Sequence, residues 1–218
     1  MRATKVSTSL KAEVAALKRR RILEVATDLF YDSGYENTTL EEVADRLKVT
    51  KPFIYSHYSS KARLLADICE LGIACSLAEI NKVLPSSVGP EQKLRLFGEG
   101  FVLAVIGSQK QLAIYNREEK NLEPEDVQRI GRMRREFDRK LNVLLDEGVA
   151  RGVFRIEDRE LATLAIGGMV SWASVWYRPR GRLAPDTLAT RITNLIFNVV
   201  RCDDARAPDR ARTAPKQR

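Results

Sequence analysis

The chain has 218 residues, 44% of them hydrophobic and 30% charged, a globular composition that excludes a fibrous or wholly disordered protein. Its net charge of +8 sits mainly at the ends: residues 1–61 carry 11 basic against 8 acidic side chains and residues 201–218 carry 6 against 3, while residues 62–200 carry 20 against 18. Cys69, Cys75 and Cys202 and a lone histidine are too few and too scattered for a disulfide framework or a metal site, so a reducing, cytoplasmic setting with no metal and no cofactor is expected.

Residues 1–10 are polar, without aromatics, and read as a disordered arm; their polarity also argues against a leader peptide. Over 11–33, Ile22, Val25, Ala26 and Leu29 share one face and predict a first helix that Gly34 ends. Its run Lys18-Arg19-Arg20-Arg21 suits contact with phosphates, or serves only as a solvated run that keeps the chain soluble. Residues 38–61, TTLEEVADRLKVTKPFIYSHYSSK, read as two short helices around a tight turn. Thr39 and Glu42 are spaced as a capping box, and Val43, Ala44 and Leu47 form an apolar stripe. Thr50 can cap the second helix, which tolerates Pro52 because N–H groups of the first turn have no intrahelical partner. Val49, Ile54 and Tyr58 then face inward and Lys51, Phe53, Tyr55, Ser56 and His57 outward. This is the layout of a helix-turn-helix, whose second helix enters the major groove of double-stranded DNA.

Ser59 or Ser60 can cap a fourth helix that runs to Val83 ahead of Pro85, and 86–90 is a loop. Further helices are expected over 91–106, carrying Leu94, Phe97, Phe101 and Val105, then in a short segment to about 120, then from Pro124 to Gly148. The stripe of that long helix, Ile130, Phe137, Leu141 and Leu145, is interrupted only by Arg134. Residues 161–177 hold no charge but are diluted by glycine and serine, and read as a helix buried on several sides within a protein rather than a membrane span. Asp158 can cap it and Arg178-Pro179-Arg180-Gly181 breaks it. A last helix starts at Pro185, and 203–218 reads as a disordered tail. The expected fold is all-α, with a three-helix DNA-binding unit over 11–65 and a larger helical ligand-binding and dimerisation domain over 66–202.

From Lys18 to Ile68 the chain resembles the amino-terminal domain of the tetracycline-repressor (TetR) family. The resemblance is carried in order by Ala26-Thr27-Asp28-Leu29-Phe30, Gly34-Tyr35, Thr38-Thr39, Tyr55, His57-Tyr58 and Ser60-Lys61-Ala62-Arg63-Leu64-Leu65. Lys48 departs from it, standing where relatives often place glycine; if the turn needs a positive φ there, lysine costs about 1 kcal/mol. Residues that start a reading helix lie deepest in the groove, which assigns Lys51, Pro52 and Phe53 to base edges, although Phe53 can instead tuck inward. Tyr55, His57 and Lys61, with Thr39 (or Thr38), are assigned to phosphates, and Thr50 at the start of the reading helix is the remaining DNA candidate. The resemblance also implies a homodimer built on the last two helices. Leu188, Ile192, Leu195 and Val199 offer a surface for it, unless that stripe closes the core of one chain.

The carboxy-terminal half resembles TetR-family regulators of lipid and steroid catabolism that sense acyl-CoA thioesters, through Gly168-Met169-Val170-Ser171-Trp172 and Trp176-Tyr177-Arg178-Pro179. Such an effector needs an apolar slot, for which Phe97, Phe101, Phe137 and Trp172 are candidates along with Tyr115 and Trp176. It also needs cations for its phosphates, for which Arg129, Arg132, Arg135 and Arg178 are candidates. The aromatics can equally be plain core, and Arg129 to Arg135 the wet face of a helix. Three rival readings compete: a repressor of an efflux pump that senses hydrophobic drugs, an all-α enzyme acting on acyl substrates, and an architectural DNA-binding protein. The enzyme lacks a convincing nucleophile and base, so no catalytic residue is expected.

Overall fold

The structure is a computed structural model that describes the backbone of residues 2–201 and the side chains of residues 12–201. Nine α-helices make up the described chain: α1 (Arg2–Ser33), α2 (Leu40–Leu47), α3 (Lys51–Tyr55), α4 (Lys61–Val83), α5 (Pro90–Gly107), α6 (Gln109–Glu118), α7 (Pro124–Ala150), α8 (Arg159–Trp176) and α9 (Pro185–Val200), with a 3-10 turn at Glu119–Asn121. The fold is all-α, as expected. The tail 203–218 and Cys202 lie outside the described residues.

Local chemistry sets the helix ends. Ser60 accepts a hydrogen bond from the Arg63 N–H and Asp158 from the Leu161 N–H, so α4 and α8 start at side-chain caps. Helices α5, α7 and α9 open on Pro90, Pro124 and Pro185, where a missing N–H costs nothing. One expectation needs correction: α1 begins at Arg2 and so takes in the segment read as an arm. Residues 1–33 contain neither glycine nor proline, so nothing in them ends a helix.

Two apolar clusters organise the packing. The first joins α1, α2, α3 and the start of α4 around Phe30, Val43, Ile54, Tyr58 and Leu64, but it also takes in Ile114, Tyr115, Leu122 and Ile130 from beyond residue 65. The second fills the body around Phe97, Phe137, Leu141, Ile166 and Ile196. Helix α4 belongs to both, with Ile68 and Cys69 in the first and Leu77 and Ile80 in the second. A tilt of α4 is therefore felt in both cores.

Helix α8 departs from the expected burial on several sides. It buries Ala162, Ile166, Val170 and Ala173 and leaves Leu161, Leu164, Trp172, Val175 and Trp176 exposed along the opposite side. The α9 stripe is divided: Leu188 and Ile192 pack into the body of the same chain, Val199 is half-buried, and Leu195 is 50% exposed. Among the described residues no helix is long and apolar enough to cross a membrane.

Candidate nucleic-acid interface and interior cavity

The helix-turn-helix is fixed at both of its turns. The Thr39 hydroxyl accepts from the Glu42 N–H at 3.2 Å while the Glu42 carboxylate accepts from the Thr39 N–H at 2.7 Å, completing the capping box. Helix α2 ends at Lys48, which adopts φ 57° and ψ 43°, the left-handed conformation that its departure from glycine made costly. Thr50 holds the cap position of α3, but its side chain makes no capping bond, a correction to the expected cap. Ile54 and Tyr58 are buried and Val49 is half-buried, so the face expected to point inward does.

The outward face carries Thr39, Thr50, Lys51, Pro52 and Tyr55, all exposed. The Lys51 ammonium rests 3.2 Å from the Glu41 carboxylate of α2. Phe53 lies between the two alternatives open to it, half-buried, with the His57 ring edge-on at 5.0 Å and the Lys18 ammonium 5.5 Å from its centroid. Thr38 is buried and donates to the Gly34 carbonyl at 2.9 Å, which leaves Thr39 as the available threonine. The Lys61 ammonium is spent inside the protein, donating to the carbonyls of Tyr35 at 2.9 Å and Glu36 at 3.4 Å.

A cavity of about 300 Å³ lies in the body between α4, α5, α6, α7 and α8. Of the residues expected to face a ligand, Phe101, Phe137 and Tyr115 line it. Phe97 stands behind them in the core, its ring stacked on Phe101 at 5.3 Å. Trp172 and Trp176 do not line it. Arg129 is tied to Glu70 at 2.7 Å and to Asp126, and Arg132 is exposed on α7. Arg178 lines a separate hollow between α6 and the end of α8, together with Lys110, Gln109 and Tyr31.

The cavity also holds groups that were not foreseen as ligand-facing: Arg134, Asp138, Cys69, Ser76 and the glycine pair Gly167 and Gly168. Arg134 had a signal, since it alone broke the apolar stripe of α7. Its guanidinium lies 4.3 Å from the centre of the Tyr115 ring. Burial raises the Asp138 carboxyl above its ordinary range against the pull of Arg134. Burial and then the hydrogen bond to Glu119 push the Tyr115 phenol up to about 12, and burial pushes the Cys69 thiol up to about 12, so both stay protonated at neutral pH. A ligand oxygen there would meet the Arg134 cation with Cys69 and Ser76 nearby and the Asp138 carboxyl beside them, while the Tyr115 hydroxyl already donates to Glu119.

Comparison with known proteins agrees with this architecture. The family model described as bacterial regulatory proteins, tetR family, matches residues 22–68, and the model described as tetracyclin repressor-like, C-terminal domain, matches residues 87–200. The HTH-type transcriptional repressor KstR2 of Mycolicibacterium smegmatis is 28% identical over 84% of this chain and 90% of its own length. The solved structure of the TetR-family regulator PfmR from Thermus thermophilus is 31% identical, covers 82% of this chain and 97% of that one, and has a TM-score of 0.74. AibR, solved in complex with isovaleryl coenzyme A and operator DNA, is 27% identical over 83% of this chain and 98% of its own, with a TM-score of 0.70.

Proposed function

The chain belongs to the TetR family of DNA-binding transcriptional regulators, and from that membership we propose a repressor that binds a palindromic operator as a homodimer and is released by an acyl-CoA thioester. The observation that carries the effector class is the pairing of two spaces along α6 and α8. The cavity is walled by Phe101, Phe137 and Tyr115 and measures about 300 Å³. A cavity of about 150 Å³ holds one benzene, so this one accepts roughly a dozen non-hydrogen atoms. That suits an acyl group and excludes the whole of coenzyme A. The phosphates then need cations outside, and the hollow along the same two helices is lined by Arg178 and by Lys110, the latter shared with Asp28 at 2.6 Å. The likeness to AibR, which binds isovaleryl coenzyme A, supports the same class.

Thr39, Thr50, Lys51, Pro52 and Tyr55 form the proposed DNA face, because they share the exposed side of the helix-turn-helix. The exposed side of α8 with Leu195 forms the proposed dimer face. The ligand acts as a switch only if it binds the DNA-incompetent arrangement better than the competent one.

The test is fluorescence anisotropy of labelled DNA from upstream of this protein's own gene, titrated with protein and then with acyl-CoAs, free coenzyme A and free acids. One thioester is expected to release the DNA while the controls do not. A panel without effect removes the thioester class and leaves the regulator. A Cβ built on Gly167, in the cavity wall, meets no atom within 4 Å. Gly167→Leu is expected to keep DNA binding and raise the effector concentration for release at least tenfold; unchanged release places the ligand elsewhere.

A further inference from the structure

We propose that Lys48, Arg46 and Lys18 form a second phosphate-gripping surface beside the reading helix, one that holds the backbone of duplex DNA outside the bases facing α3. The proposal rests on the DNA-binding reading above and starts from strain. Lys48 is the only residue other than glycine with a positive φ among the described residues. A side chain in that conformation costs about 1 kcal/mol that glycine would not. The helix cap holds Lys48 there, and strain of this kind clusters at functional sites.

Charge supplies the second observation. Lys18, Arg21, Arg46 and Lys48 ring one depression between α1 and the turn, and no acidic residue is in its lining. Arg21 is taken up by Glu24 at 2.9 Å, and Lys18 meets the Phe53 ring. Arg46 and Lys48 form no ion pair among the described residues. Other described cations of the same unit are engaged, Arg19 and Arg63 with Asp67 and Lys51 with Glu41. Like charges gathered around one hollow repel each other unless an anion joins them.

Position decides which anion. Phe53, on α3, lines the same depression. A helix about 10–12 Å across nearly fills a major groove about 12 Å wide, so side chains flanking the helix meet the phosphate walls. Contacts of this kind fix register without reading sequence.

The full-length protein is tested on a random-sequence 40-bp duplex between 50 and 200 mM salt, alongside thermal melting. Lys48→Gly is expected to melt higher, because strain is relieved, yet bind about eightfold more weakly at 0.1 M salt, with the slope of log K on log salt reduced by about 0.9. Arg46→Gln is expected to lose the same slope without the gain in melting. Arg180→Gln, in the loop after α8, is expected to keep the wild-type slope. Wild-type slopes in both reader variants overturn the proposal and spare the regulator, as does an equal loss in Arg180→Gln, which would make net charge the cause. A wild-type protein that binds neither this duplex nor the upstream DNA overturns the DNA-binding reading, and this surface with it.

Discussion

Lys61 shows how much one side chain can hide behind its charge. By position it is a phosphate contact, yet its ammonium donates to the carbonyls of Tyr35 and Glu36 and lies 4.3 Å from the centre of the Tyr35 ring. It pins the first turn of α4 to the connection between α1 and α2. Lys61→Ala is expected to lower unfolding free energy by about 1–2 kcal/mol, seen as an earlier urea midpoint, and to leave the salt slope of DNA binding unchanged. A normal midpoint with a reduced slope would return Lys61 to the phosphates. Sequence reveals residue type and spacing, so Lys48 at a glycine position and Arg134 inside an apolar stripe could be noticed. It does not reveal which neighbour claims a long flexible side chain, and so Arg129 and Lys61 read as free cations when both are engaged.

Among the elements, α6 is the least legible in sequence and the most consequential. It reads only as a short segment, because ten residues with mixed polarity carry little periodic signal. In the fold it supplies Leu112 and Tyr115 to the cavity and reaches α1 with its other side. The Arg117 guanidinium donates to the carbonyls of Phe30 and Tyr31 at the end of α1, and Lys110 pairs with Asp28 at 2.6 Å. An effector in the cavity, as proposed, would thus have a second line of contacts to the reader besides α4. Arg117→Ala is expected to keep operator affinity within about twofold and to raise the effector concentration for half-release about two- to thirtyfold, corresponding to a coupling of about 0.5–2 kcal/mol. Unchanged release in the anisotropy assay would leave α4 as the sole carrier. The longer helices were legible because prolines and caps mark their starts. Which side of α8 or α9 is covered was not legible, since periodicity defines a stripe without saying what packs on it.

At the scale of the molecule, one broad apolar side remains uncovered. Leu161, Leu164, Trp172, Val175 and Trp176 of α8 are exposed, Trp172 by 63% of its surface, with Leu195 of α9. Patches of this kind mark interaction sites, and a helix-turn-helix dimer needs its two reading helices about 34–36 Å apart. Leu164→Asp is expected to yield monomers by sedimentation and to weaken operator binding by more than a hundredfold while leaving helical content intact. A dimer that survives this change uses another surface. The enclosed part of each core was legible as apolar stripes; the open side was not, because an exposed leucine and a buried one look alike in sequence.

The boundary between reader and body has a practical corollary. Ile114, Tyr115, Leu122 and Ile130 complete the apolar cluster of the reader although they lie far along the chain. Regulators of this kind invite recombination, in which one protein's operator preference is spliced onto another's chemical sense. A splice after residue 65 would here hand the recipient an open-sided module whose missing wall must come from a stranger. Hybrids that carry their own α6 and the start of α7 along with the reader should function where simple head exchanges fail, and the same constraint ties the evolution of the two halves together.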